Sequence, residues 1–159
     1  MSNQITSLGI DPSLTSTGIV LLEGEGIREI KVVKTNSKQA LGERYNLILT
    51  GILEIAEGIE IHTAAIEDPS HARNTAVANK LGGAWGTAFL ACHQLGLDAH
   101  SVKATQHRKP WKNQTKAGAV KLVRGRWPEL LEWPDDLADA ASVAWWAHLV
   151  LAEAIESQK

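Results

Sequence analysis

The sequence predicts an α/β fold: a mixed five-stranded sheet, three antiparallel strands followed by parallel pairing, flanked by helices. Three observations lead there. Two short apolar runs near the start enclose a polar, turn-rich loop, as in a hairpin. A third run alternates polar and apolar residues with the period of a half-buried strand. Beyond residue 40, strand-like and helix-like segments take turns, which implies crossover connections and parallel pairing.

The elements follow in order. Ile5 to Ile10 is the first strand and Gly18 to Leu22 the second, joined through Asp11-Pro12-Ser13-Leu14-Thr15-Ser16-Thr17. Gly24-Glu25-Gly26 breaks the second strand, and Ile27 to Thr35 forms the third, with Ile30 and Val32 opposite Glu29 and Lys31. Leu41 to Glu57 carries apolar residues at helical spacing. Ile61 to Ile66 is a buried strand that runs into Glu67, and Asp68-Pro69-Ser70 stops it. Asn74 to Leu95 is a long helix capped by Asn74 or Thr75 and crowded with small residues, including Gly82, Gly83 and Gly86. A glycine inside a helix costs about 1 kcal/mol relative to alanine, so their smallness points to close approach of another backbone, from the sheet or from a second subunit. Leu97 to Val102 is the fifth strand. Thr115 to Arg126 and Asp136 to Glu156 are helical, the latter preceded by Pro134 and acidic in its first turn.

The chain has 159 residues, the size of one ordinary domain, and residues 1–159 read as a single unit without repeats or linkers. The single cysteine, Cys92, excludes an intramolecular disulfide and any cysteine-rich zinc site, and fits a reducing compartment. The beginning, MSNQITSLGID, has neither the charge nor the apolar run of a signal peptide. The longest apolar run, Val143 to Leu151, contains His148 and is far short of the ~20 residues that span a bilayer. A soluble, intracellular protein with no membrane partner is expected.

Net charge is −2, but its distribution is uneven. Lys103, Arg108, Lys109, Lys112, Lys116, Lys121, Arg124 and Arg126 occupy a stretch with no acidic residue, whereas 129–156 carries only acids. The two stretches read either as two solvated faces or as one field for a polyanion and one for cations.

The candidate chemistry lies in four carboxylates. Asp11 follows the first strand, which this topology places near the middle of the sheet, and Glu67 ends the fourth. Asp136 and Asp139, three apart, project from one face of the last helix. Alone, Asp136 reads as an N-cap or dipole partner and Glu67 as a strand-end surface residue. If the last helix crosses the ends of those strands, all four converge. Charges so close need divalent cations, and oxygen ligands without His or Cys favour Mg²⁺, with Mn²⁺ as the alternative. Two such ions about 3.5–4 Å apart activate water and stabilise a leaving oxygen at a phosphodiester.

These residues sit within a longer pattern. Ile10-Asp11-Pro12-Ser13 with Thr17-Gly18, Ala65-Ile66-Glu67, Arg73-Asn74, Lys80-Leu81-Gly82-Gly83-Ala84-Trp85-Gly86, Thr105-Gln106, Lys116 and Asp136-Leu137-Ala138-Asp139-Ala140-Ala141 resemble the RuvC family of Holliday-junction resolvases. The matched blocks run in order from about residue 7 to 147. The resemblance implies a ribonuclease-H-like fold, a homodimer, and Mg²⁺-dependent nicking of opposed strands of a four-way DNA junction. It carries Asp11, Glu67, Asp136 and Asp139 over as metal-binding catalytic carboxylates. It also places Lys116 at the scissile phosphate, where the alternative is a plain surface lysine, and Arg108 at the family's basic position after Thr-Gln. His71, Arg73, Arg108, Lys109, Trp111, Lys112 and Lys116 are the candidate DNA contacts, and the helix from Asn74 to Leu95 is the candidate dimer interface.

The chain departs from the family pattern at Ser70, where an aromatic wedge is common. Either neighbouring His71 takes part of that stacking role or the junction opens differently. Trp145 and Trp146 read as core, and Trp85 as core or dimer contact. Trp111, between Lys109 and Lys112, has the setting of a base-stacking aromatic in a basic loop; His107 reads as a phosphate contact or merely solvated. Two other readings remain: a junction-binding module without catalysis, and an RNA-processing nuclease of the same fold.

Overall fold

The computed structural model describes residues 4–69, 74–112 and 115–158. Strands β1 (Thr6–Asp11), β2 (Ser16–Glu23) and β3 (Gly26–Lys34) form an antiparallel meander. Helix α1 (Leu41–Ile55) leads to β4 (Thr63–Glu67), and helix α2 (Thr75–Gln94) to β5 (His100–Val102). Both β4 and β5 pair in parallel, and the spatial order is β3-β2-β1-β4-β5. The expected mixed five-stranded sheet is present, with β1 at its centre.

Alternation along the central strands supplies a core on each face of the sheet. Leu8, Ile10, Ile19 and Leu21 pack against Ile48 and Ile52 of α1 and Ala84, Ala88 and Ala91 of α2. On the other face, Val20 and Leu22 meet Leu137, Ala140, Ala141 and Ala144 of α5 (Asp135–Glu156). Val120 and Val123 of α4 (Lys116–Arg126) and Trp127 close that layer.

Two glycines bring α5 into direct contact with the sheet. A Cβ on Gly9 of β1 would overlap the Ala140 carbonyl oxygen and the Ala144 amide nitrogen. A Cβ on Gly18 of β2 would overlap the Asp136 carbonyl. The helix answers with alanines, so it lies on the strands with almost no side-chain layer between.

Several boundaries differ from the sequence expectation, for local reasons. The second strand begins at Ser16, because Thr17 closes the preceding turn: its hydroxyl donates to the Ser13 carbonyl (2.6 Å) and accepts from the Ser13 amide (3.1 Å). The fifth strand is shorter than expected. Leu97 instead terminates α2, its N–H donating to the Cys92 carbonyl (2.9 Å) around Gly96 at φ 75°, a left-handed cap that glycine adopts without strain. Residues expected to be loop form a short helix α3 (Ala104–His107) and a 3₁₀ turn (Lys109–Trp111). Gln106 Oε1 accepts the Lys103 amide at the start of α3 (2.9 Å).

The small residues of α2 divide by task. Gly83 accommodates the ring of Tyr45 from α1, a side chain rather than the backbone expected, whereas nothing described lies within 4 Å of a Cβ built on Gly82 or Gly86. No helix among the described residues is long and apolar enough to cross a membrane.

Candidate active site

The register of the sheet sets the first half of the site. Ile10 lies beside Ile66 in the parallel β1–β4 ladder, so the residues that follow, Asp11 and Glu67, leave the sheet at the same edge. Asp11 also faces Gly18 across the β1–β2 ladder, and it is on Gly18 that Asp136 rests. One turn further along α5, Asp139 is buried, 3% exposed. Asp11 and Glu67 line a cleft of about 200 Å³ together with Pro12, Asp68, Pro69, Leu81 of α2 and Ala104 of α3.

Three cationic or ionisable groups face the carboxylates. Lys116, at the start of α4, places Nζ 2.9 Å from Asp139 Oδ2. Thr115 holds that helix end by accepting the Gly118 amide at 3.2 Å. Arg108 Nη2 is 3.8 Å from Asp139 Oδ1. His107 is fully buried, and its Nε2 stands 3.5 Å from Glu67 Oε2. Glu67, His107 and Asp139 each bring one ligand atom to within 4.8 Å of the others.

The electrostatics are those of a site short of positive charge. Burial holds the Asp11 carboxyl well above its ordinary value, and the charges of Glu67, Asp139 and Asp136 push it further, against the opposing pull of Lys116. Asp139 is raised as well, by burial and then by Glu67, with Lys116 acting to lower it. Burial would lower the Lys116 ammonium, but its hydrogen bond to Asp139 and the charges of Asp139, Asp11 and Glu67 outweigh that and raise it. Of the three carboxylates acting on Asp11, Asp136 acts most weakly, as befits its place at the rim.

Divalent cations fit this donor set. Glu67 Oε2 and His107 Nε2 are buried without a hydrogen-bond partner although they point at each other. Mutually repelling carboxylates and two buried polar atoms left without a hydrogen bond are relieved together by a cation.

The structure therefore gathers Asp11, Glu67, Asp136, Asp139, Lys116 and Arg108 in one place. Lys109 and Lys112 are exposed on the adjoining 3₁₀ turn. Ser70, His71 and Arg73 lie outside the described residues. Two basic residues of the 103–126 stretch are committed elsewhere. Arg124 pairs with Asp135 (3.1 Å) and donates to the Trp133 carbonyl (2.6 Å). Arg126 pairs with Glu25 (2.9 Å) and lies over the Trp145 ring, 4.2 Å from its centroid.

His107 is where the sequence expectation fails: it is neither solvated nor on a DNA-facing surface, but forms the inner wall of the acidic cluster. Its Nδ1 lies 2.8 Å from Ser142 Oγ, and Ser142 Oγ donates to the His107 carbonyl at 2.9 Å. Trp111 joins the same hydroxyl, donating its indole N–H at 2.8 Å, while its half-buried ring meets Trp127 edge-on. The available signal was Ser142, three residues after Asp139 and so on the same face of α5.

Comparison with known proteins gives a consistent result. The family model for Crossover junction endodeoxyribonuclease RuvC matches residues 7–146. A protein of that name from Citrifermentans bemidjiense is 33% identical over 146 residues, spanning 86% of this chain and 88% of the relative. One from Protochlamydia amoebophila is 28% identical, spanning 91% and 90%. Among solved structures, Thermus thermophilus RuvC in complex with a Holliday junction substrate superposes with a TM-score of 0.81 at 25% identity, over 94% of this chain and 96% of that one. The yeast mitochondrial Holliday junction resolvase shares the fold, with a TM-score of 0.58 at 15% identity, covering 98% of this chain and 87% of that one.

Proposed function

The chain belongs to the RuvC family of crossover junction endodeoxyribonucleases, and on that premise we propose that it acts as a single nuclease domain, nicking opposed strands of four-way or otherwise branched DNA. The observation that carries this reading is the convergence of Asp11, Glu67 and Asp139 from two parallel strand ends and one helix, with Lys116 at hydrogen-bond distance from Asp139. The bound cations, two Mg²⁺ in this reading with Mn²⁺ as the alternative, supply charge neutralisation, activation of the attacking water and stabilisation of the leaving oxygen.

The protein's own groups do the rest. Asp11, Glu67, Asp136 and Asp139 hold the ions, and the β1–β4 register presets the spacing of the first two. Lys116, half-exposed at the mouth, offers its ammonium to a non-bridging phosphate oxygen as charge develops there. Arg108, nearest the other carboxylate oxygen of Asp139, supports the same phosphate. Water attacks phosphorus, the bond to the 3′ oxygen breaks, and the products carry 5′-phosphate and 3′-hydroxyl ends.

Exposed Lys109 and Lys112, with Trp111 between them, extend the basic surface away from the cleft for the flanking phosphates and bases; His71 and Arg73 are assigned to the same DNA surface. A homodimer suits a junction with two symmetry-related strands. The open space above Gly82 and Gly86, and the exposed Val77 and Leu90, favour α2 as its contact.

The test is an immobile four-way DNA junction labelled on each strand, beside a duplex and an RNA–DNA hybrid, with wild type and Asp11→Asn in Mg²⁺ and in Mn²⁺. Paired nicks on opposite junction strands, absent from the duplex and from Asp11→Asn, are expected. Binding without nicking in either metal would reduce the protein to a junction-binding module. Cutting confined to the hybrid would move the substrate to RNA.

A further inference from the structure

We infer that His107 is itself a metal ligand of this site, locked by Ser142 into the tautomer that presents a lone pair at Nε2, and that the site consequently prefers Mn²⁺ to Mg²⁺. This rests on the reading above that the carboxylate cluster is the metal centre, and adds to it a nitrogen donor and a metal preference.

The tautomer follows from hydrogen-bond accounting at one hydroxyl. Ser142 Oγ has three neighbours: the His107 carbonyl oxygen at 2.9 Å, the Trp111 indole nitrogen at 2.8 Å and His107 Nδ1 at 2.8 Å. A serine hydroxyl has one proton and two lone pairs. The carbonyl can only accept, so it takes the proton. The indole N–H can only donate, so it fills one lone pair. The remaining lone pair needs a donor, and His107 Nδ1 must carry the hydrogen. In the neutral ring Nε2 is then bare.

That bare nitrogen is fully buried, has no hydrogen-bond partner, and faces Glu67 Oε2, which is equally unpartnered, at 3.5 Å. Two acceptor lone pairs facing each other in a buried site repel unless a positive centre lies between them. Asp139 brings a third donor: one ligand atom from each of Glu67, His107 and Asp139 lies within 4.8 Å of the other two. The arrangement repeats a recurrent device of metal sites, in which a ligating histidine gives its other N–H to a fixed oxygen that sets the ring's orientation. Here that oxygen is Ser142, itself fixed by Trp111. A cluster of carboxylates alone suits Mg²⁺, whereas imidazole nitrogen is a donor for transition ions. Mn²⁺ accepts both.

The test uses the whole protein without DNA, loaded with Mn²⁺ and labelled with ¹⁵N-histidine, observed by pulsed electron paramagnetic resonance. A directly coupled histidine nitrogen is expected in wild type and absent from Asp139→Asn. Titration should give Mn²⁺ binding at least about tenfold tighter than Mg²⁺. His107→Ala should lose about 10–100-fold in Mn²⁺ affinity, and Ser142→Ala a loss in the same range, while Mg²⁺ affinity changes less than about threefold. Mn²⁺ bound without a histidine coupling, or a coupling that survives Asp139→Asn, would overturn the proposal. If His107→Ala fails to fold, His107→Gln takes its place, and a coupling that survives it would overturn the proposal. Junction nicking by the same preparation separates the two readings: nicking without nitrogen coupling removes His107 alone, and no nicking in either metal removes the nuclease reading.

Discussion

Gly18 and Asp136 meet backbone to backbone. A Cβ on Gly18 would sit 2.6 Å from the Asp136 carbonyl carbon, closer than any side chain tolerates. Because Gly18 is the ladder partner of Asp11, this contact delivers the start of α5 to the edge of the sheet where Asp11 and Glu67 emerge.

Gly18→Ala and Gly9→Ala should each destabilise the fold, by about 1–3 kcal/mol or more, since the added methyl meets backbone that cannot step aside. Urea denaturation followed by tryptophan fluorescence measures it. An unchanged midpoint for both variants would contradict the close seating of α5.

Gly86→Ala is the opposing case. Nothing described lies within 4 Å of its Cβ, so alanine should stabilise the isolated chain by about 0.5–1 kcal/mol. If α2 is the contact between two copies, the same methyl should weaken self-association, which sedimentation velocity would report. A tighter fold with undiminished dimerisation would place the interface elsewhere.

The raised Asp11 and Asp139 carboxyls set the pH response of the metal-free protein. Between their unfolded and folded values the folded state binds more protons than the unfolded one, so stability falls as pH rises through that range. The contribution is complete below the ordinary carboxylate value and is lost once both groups ionise in the folded state. Thermal melts without metal should show a lower Tm at pH 8 than at pH 5, other things equal. Asp11→Asn should flatten that slope and raise the pH 8 Tm by about 2–4 °C, the shift about 1 kcal/mol produces in a chain of this size, while abolishing nicking. Added Mn²⁺ or Mg²⁺ should restore the wild-type Tm but do less for Asp11→Asn.

Lys116→Ala removes the partner that lowers Asp139 and the ammonium nearest the cleft. Single-turnover nicking on saturating junction should slow about 10²–10³-fold, with affinity for the junction changed less than about threefold. Its pH profile should shift upward, because Asp139 then ionises at higher pH. An effect confined to affinity would recast Lys116 as an ordinary phosphate-binding side chain.

Lys109→Ala combined with Lys112→Ala should weaken junction binding and reduce the steepness of log K against log salt by about 2, one for each lysine that no longer neutralises a phosphate. Fluorescence anisotropy over a salt series measures it. A parallel displaced line would show that neither lysine touches phosphate.

The legible part of this molecule is the part written in short-range patterns. Asp11 and Glu67 could be placed because each closes an apolar run, and Asp136 and Asp139 because three residues is one helical turn. The central position of β1 followed from the order of the elements. His107 was not legible. A lone histidine in a basic, proline-containing stretch looks solvated, and what buries it is Ser142, 35 residues away. Trp111 was legible in part: its flanking lysines mark an exposed turn, while its indole N–H is spent on that distant hydroxyl. Gly9 carries a subtler signal, since a glycine inside a strand marks close backbone approach.

The two glycine notches, one on each of two neighbouring strands, do more than admit a helix. A single notch would let α5 roll about its axis; two, engaged at Asp136 and at Ala140 with Ala144, fix both how far the helix has slid and which way it is turned. The heading of the Asp139 carboxylate is therefore an angle machined into the sheet, by residues that carry no side chain at all. Catalytic aim in this chain is inherited from the keying of helix to strand, so a variant that loosens the key should misdirect the active site well before the molecule unfolds.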